Sequence, residues 1–163
     1  MKASARSDRL SLSERLGLLI HRQLDRRLSR FGVWVMRRTR GALAGRFKVH
    51  ALVLTVVGRK SGRSRSVVLQ YFPDRDGFIV VATNDGGRTN PAWYLNLVAS
   101  GGGDVEVAGR RIAVRANEMP GGEAATWWAR ILDVAPEYER YTRAAGRPFP
   151  IVRLTPLAPV ALP

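Results

Sequence analysis

Ala51-Leu-Val-Leu-Thr-Val-Val57, running straight into Gly58-Arg-Lys-Ser-Gly-Arg-Ser-Arg65, is the stretch that decides the fold. Its first part is a continuous apolar run rich in β-branched side chains, the pattern of a buried strand. Arg65–Phe72 reads as a second strand, so the basic segment is the turn between two strands. Arg59, Lys60, Arg63 and Arg65 crowd four cations into seven residues, punctuated by Gly58 and Gly62. Arginine offers a planar fork of donors matched to phosphate oxygens, and lysine adds a compact charge. Such a turn suits an anion. A solvated, charge-decorated hairpin tip is the plainer alternative that the run by itself leaves open.

Beyond this hairpin the chain continues as short strands with helices between them. Pro73-Asp74-Arg75-Asp76-Gly77 is a hairpin signal, and Phe78–Thr83 is a third strand. After the Asn84-Asp85-Gly86-Gly87 loop a helix is expected through Val98, capped by Asn90 with Pro91 at its first position. Gly101–Gly103 reads as a flexible turn, followed by a hairpin of Asp104–Ala108 and Arg110–Asn117. Helices over Gly121–Val134 and Pro136–Ala145 and a last strand over Ile151–Leu154 complete the pattern. Antiparallel strands with interspersed helices suggest an α+β chain built on a small barrel rather than a doubly wound parallel sheet.

Composition narrows the chemistry. In 163 residues there is no cysteine, which removes disulfides, thiol nucleophiles and thiolate metal sites. His21 and His50 are the only imidazoles and stand far apart, so no metal site is expected. The formal charge is +14, unevenly placed: residues 1–50 hold 13 Lys or Arg against 3 Asp or Glu. From Ser11 onward Leu12, Leu16, Leu19, Leu24, Leu28, Phe31 and Val35 recur at helical steps, opposite Arg15, Arg22, Arg26, Arg27 and Arg30. This is a basic amphipathic helix. No apolar run reaches the roughly 18 residues of a membrane span, and no secretory pattern opens the chain. A cytoplasmic protein is expected, with residues 1–45 as a basic extension, 46–156 as the main domain and 157–163 as a tail.

Four motifs stand in order: Leu54-Thr-x-x-Gly-Arg-Lys-Ser-Gly-x-x-Arg65, Tyr71-Phe-x-Asp-x-Asp-Gly77, Asn84-Asp-Gly-Gly87 and Asn90-Pro-Ala-Trp-Tyr-Leu-Asn-Leu97. Together they resemble the deazaflavin-dependent nitroreductase family, over roughly residues 40–155. The resemblance implies a split β-barrel of the FMN-binding type. It implies coenzyme F420, an 8-hydroxy-5-deazaflavin, as cofactor, with FMN ranked behind it. The implied reaction is hydride transfer to a quinone-like, nitro or other unsaturated acceptor. The coenzyme's phosphate and glutamyl carboxylates would give the cationic turn its physical partner.

By resemblance, Arg59, Lys60, Ser61 and Arg65 hold the phosphate and tail, and Leu69 and Tyr71 border the cofactor. Backbone groups of Ala82, Thr83, Asn84 and Asp85 meet the ring edges where a loop leaves amides free, and Ala92, Trp93 and Tyr94 wall the tail and ring. Tyr138 and Tyr141 share a helical face and cap the substrate pocket together with Ala135, Tyr138 touching both cofactor and substrate as the catalytic group. Tyrosine is protonated at neutral pH and can donate to a developing oxyanion. Two aromatic anchors docking a helix are the plainer alternative for this pair. The chain departs from the family at Ala135, where relatives active on nitroimidazoles carry tyrosine, and at Asn84, which replaces a serine. Both fall where ring and substrate meet.

The basic helix admits contact with an anionic membrane surface at the inner face of the cell membrane, where a lipophilic quinone would be reached. Packing against the barrel or along a dimer seam is the alternative, and oligomeric state is left open. A non-catalytic carrier of coenzyme or lipid is the competing function. Nucleic acid is not an expected partner, because the aromatics are not interleaved with the cations as a base-stacking platform requires.

Overall fold

In the computed structural model, which describes residues 31–39, 50–75 and 77–158, the opening hairpin forms as its sequence dictates. β1 (Ala51–Val57) pairs antiparallel with β2 (Ser64–Gln70), in register from Val57 opposite Ser64 to Ala51 opposite Gln70. One residue later the chain enters β3 (Phe72–Asp74), which pairs with β4 (Gly77–Val81). β5 (Gly102–Val107), β6 (Arg110–Glu118) and β7 (Ile151–Pro156) complete a sheet of order β2-β1-β5-β6-β7-β4-β3, antiparallel at every pairing.

The two edge strands of this sheet, β2 and β3, are separated in sequence by Tyr71 alone. In a flat sheet of seven strands, spaced about 4.8 Å apart, the edges would stand roughly 29 Å from each other. The two Cα steps from Gln70 to Phe72 reach under about 8 Å. The sheet must therefore curl, and it forms a half-barrel. The single strand expected over Arg65–Phe72 is corrected accordingly: the chain leaves one edge at Gln70 and joins the other at Phe72.

Alternation along β4 divides the core. Phe78 and Val80 face the barrel interior with Leu54, Val105 and Leu154, while Ile79 and Val81 face outward onto Phe72, Ile131 and Tyr138. The interior is closed by α2 (Ala92–Ser100), which inserts Tyr94 and Leu97. The outer layer comes from α3 (Gly121–Val134) and α4 (Tyr138–Ala145). Residues 31–38, here α1, are helical, with Val33 buried and the Arg37 guanidinium paired to Glu106 of β5 at 2.5 Å. The rest of the expected amphipathic helix, from Ser11, lies outside the described residues.

Two further expectations shift. Gly102 and Gly103 belong to β5 instead of a flexible turn, because a Cβ there would come within 2.2 Å of Val114 O and 2.6 Å of Thr55 O. Glycine is what lets the neighbouring backbones approach. Asn90 does not cap α2: Pro91, extended at φ −66° and ψ 152°, occupies the N-cap position, and Asn90 is one residue too early to reach the helix amides. Asn90 Oδ1 is buried without a hydrogen-bond partner among the described residues.

Candidate active site

The basic turn is internally tied and externally pinned. Gly58 N–H donates to Arg63 O at 2.9 Å, and the amides of Ser61 and Gly62 both donate to Gly58 O. Arg59 is held from outside the turn: its backbone N–H and its Nη1 each donate to Asn96 Oδ1 at 3.2 Å. Apart from the tyrosines, Asn96, on α2, is the one polar residue buried as a whole among the described residues. Burying an amide costs free energy unless it is hydrogen-bonded, and Arg59 supplies that bond.

Arg59, Lys60, Ser61, Arg63 and Arg65 are all exposed. The ion pairs among the described residues join Arg37 to Glu106, Arg111 to Asp104, and Arg153 to Asp74 and Glu123. None draws on the turn. Its four cations thus carry no protein carboxylate among the described residues, and their donors fit a phosphate with carboxylates beside it.

The second element is the loop after β4. Ala82 N–H donates to Pro150 O and Thr83 N–H to Val81 O, so two of the four amides expected to be free there are already spent. Asn84, Asp85 and Gly86 follow with φ of 51°, 51° and 74°, three successive left-handed residues. This conformation costs a residue with a Cβ about 1–2 kcal/mol, less for Asn and Asp, whose short polar side chains tolerate it, and nothing for Gly. The sequence Asn-Asp-Gly is what the geometry demands. At Gly86 space matters as well, since a Cβ would meet Ala144 Cβ at 3.1 Å and Tyr141 O at 3.3 Å. The turn is thereby pressed onto α4.

From α4, Tyr138 reaches back to the barrel. Its ring lies edge-on to Phe72, Trp128 and Tyr141, and its hydroxyl donates a long hydrogen bond of 3.4 Å to Gln70 Oε1, at the end of β2. Burial pushes the hydroxyl pKa well above the usual tyrosine value, and the neighbouring Tyr141, Glu137 and Asp85 add to it. Tyr138 is both an aromatic anchor of α4 and a protonated donor. Ala135 is buried beneath it, its carbonyl accepting from Tyr138 N–H at 3.1 Å, and Tyr141 is half-buried.

The remaining residues divide between wall and surface. Ala92 is exposed at the start of α2, and Trp93 is half-buried and edge-on to Tyr94. Tyr94 is buried, with its hydroxyl donating to Glu118. Burial, then the hydrogen bond to Glu118, pushes its pKa up to about 12. Leu69 is half-buried against the barrel core, whereas Tyr71 lies inside it, edge-on to Phe78 at 5.1 Å. Two groups result: the turn with α2, and the left-handed loop with α4. The chain from Asn90 joins them on one side. On the other side β2, about 20 Å long at 3.3 Å per residue, runs from the turn to Gln70 beside Tyr138.

Asn96, Gln70, Glu118 and Arg147 enter the site without having been singled out from the sequence. Asn96 had a signal, as the lone amide in the otherwise apolar run of α2. The other three act through partners 24 to 68 residues away and had none.

A profile of the F420H(2)-dependent quinone reductase family matches residues 28–156. An F420H(2)-dependent quinone reductase of Mycobacterium tuberculosis is 28% identical over 141 residues, covering 83% of this chain and 95% of that one. A solved F420-H2 dependent reductase, FDR-A, superposes with a TM-score of 0.58 at 27% identity, over 64% of this chain and 92% of its own. A protein of unknown function from Agrobacterium tumefaciens, at 14% identity and a TM-score of 0.53 over 68% of this chain and 49% of its own, shares the fold.

Proposed function

The chain belongs to the F420H(2)-dependent quinone reductase family, an oxidoreductase family whose cofactor is coenzyme F420, and from that premise we propose how it works. The coenzyme's phosphate and glutamyl tail lie on the turn at Arg59, Lys60, Ser61 and Arg65. Its ring lies toward Asn84, Asp85 and Tyr138, and the acceptor is a quinone-type molecule. The observation that carries this is the turn itself, four cations without a carboxylate partner among the described residues, one of them aimed by Asn96.

When bound, the reduced coenzyme supplies a hydride from its deazaflavin ring. What the chain adds is placement. Arg59 is held in position before the ligand arrives, which lowers the ordering cost of binding. Trp93 and Leu69 present apolar surface along the path between turn and loop, limiting water there. Tyr138 keeps its proton at neutral pH because burial disfavours the phenolate. It therefore serves as a hydrogen-bond donor to the oxygen that gains charge on the acceptor, and the raised pKa makes it a poor source of the proton itself.

Side-by-side fluorescence titration with coenzyme F420 and FMN, followed by oxidation of the reduced coenzyme when a quinone is supplied, tests this reading. Tight FMN binding without a response to F420 refutes the tail-on-turn placement, and binding without quinone-driven oxidation refutes the hydride step. Tyr138→Phe should lower kcat for quinone about tenfold or more with little change in coenzyme affinity. An unchanged kcat removes Tyr138 from the chemistry.

A lipid-soluble quinone would bring the protein to a membrane surface. Supporting this, Phe31 and Trp34 on α1 are each 59% exposed and stacked at 5.8 Å, with Arg37 and Arg38 nearby. Sedimentation with anionic and neutral vesicles tests it, and equal recovery with both, or none with either, counts against membrane contact.

A further inference from the structure

We infer that Arg147 is a positioning residue for the ring-facing turn, holding residues 84–86 in a left-handed backbone that the chain would otherwise leave. Its guanidinium donates through Nε to Gly87 O at 3.3 Å, through Nη2 to Thr89 O at 3.0 Å and through Nη1 to Pro148 O at 3.1 Å. It also lies over the buried Phe149 ring at 4.9 Å. Among the described residues it forms no ion pair with a carboxylate, so its donors are spent on backbone carbonyls. A planar fork can meet two carbonyls two residues apart; an ammonium at the end of a flexible stem cannot hold that geometry.

The clamped carbonyls of Gly87 and Thr89 directly follow the strained segment. Asn84 and Asp85 carry a Cβ at φ 51°, and such conformations persist only where the surroundings over-determine them. The surroundings here include α4 pressed on Gly86, Asn84 Nδ2 donating to Thr89 O at 2.9 Å, and Arg147. Thr89 O accepts from both side chains, so the same guanidinium reaches the turn and the root of α2, on which Asn96 aims Arg59. Arg147 stands between α4 and β7, and ties the element carrying Tyr138 to the loop that leads into α2.

This inference rests on the proposed placement of the ring beside Asn84 and Asp85. The test uses the full chain as Arg147→Lys, Arg147→Ala, Asp85→Gly and the double variants of Asp85→Gly with each. Backbone hydrogen exchange over residues 84–90, F420 affinity and steady-state quinone reduction are measured, with a thermal melt to confirm folding. We expect Arg147→Lys to stay folded, exchange over 84–90 to rise about tenfold or more, and kcat to fall about tenfold or more, because small misplacement of a reacting group is costly. The KM for coenzyme should change less, since the cations of the turn are untouched. Asp85→Gly should return part of the lost kcat in the Arg147 background, because glycine takes a left-handed conformation without a Cβ penalty. A merely structural arginine would not be rescued this way. Wild-type exchange and kcat in the Arg147 variants, or a loss that Asp85→Gly leaves unrepaired, overturns the inference. If exchange responds as expected but the wild-type protein neither binds F420 nor reduces a quinone, the proposed function has failed and the clamp stands.

Discussion

Replacing Asn96 by leucine tests whether the basic turn is a preorganised anion site. In the native protein Asn96 Oδ1 accepts from the backbone N–H and from Nη1 of Arg59, both at 3.2 Å, and Asn96 itself is 8% exposed. Leucine keeps the number and branching of the side-chain heavy atoms and removes the acceptor. The Arg59 amide is then left facing apolar surface, at a cost of about 1–2 kcal/mol, while its exposed guanidinium recovers water. In a chain of this size that lowers Tm by about 2–8 °C. The released Arg59 side chain must be immobilised again whenever it grips the ligand, about 0.5–1.5 kcal/mol, which weakens coenzyme binding about two- to tenfold. Fluorescence titration of F420 at fixed ionic strength reads the affinity, and a thermal melt reads the stability. The comparison that decides is the cycle with Arg59→Ala. Without the arginine side chain, Asn96→Leu should still cost some stability through the backbone amide but should no longer change affinity. An equal loss of affinity in the Arg59→Ala background means that Asn96 acts through α2 as a whole. No loss in either background means that Arg59 does not reach the ligand.

Lys60→Ala should weaken F420 binding by about tenfold or more, with Tm moved by no more than a degree or two, since the side chain is exposed; the loss should shrink as salt is raised, and unchanged affinity rejects the phosphate role. Gly102→Ala would place a Cβ 2.2 Å from Val114 O, so β5 and β6 must separate, and a loss of about 3 kcal/mol or more is expected by denaturant titration, with a native-like melt as the refuting result. Stability should fall as pH rises above about 10, because Tyr71, Tyr94 and Tyr138 have folded pKa values above that of an unfolded tyrosine, and the unfolded chain releases protons first. Tyr94→Phe should make this decline shallower between about pH 10 and about 12 while lowering stability at neutral pH through loss of the Glu118 bond, and an unaltered alkaline slope contradicts the assignment.

Local signals were legible. The hairpin from Ala51 to Gln70, the Gly109 turn between β5 and β6, and α3 over Gly121–Val134 follow from runs of a few residues, and each stands close to where it was expected. Misplacements came from neighbours that the sequence does not display. Gly101–Gly103 looks like a hinge until Val114 and Thr55 are set against it, and Asn90 looks like a cap until the extended Pro91 takes that position. Arg65–Phe72 looks like one strand because nothing in its own residues says that Gln70 and Phe72 pair with different partners.

By itself the sequence determined which charges the basic turn carries. Four cations between two strands, with glycines among them, suit a negatively charged ligand wherever the turn sits, because charge and donor geometry belong to the side chains. The order of the motifs carried the family and its cofactor. Only the tertiary structure decided how that turn is aimed and what faces it. Asn96 meets Arg59 across 37 residues, Arg147 meets Gly87 across 60, and Tyr138 meets Gln70 across 68. Contacts of that span are set by the curl of the sheet, which brings β2 and β3 together at Tyr71, and a linear pattern carries no record of which edge a strand will join.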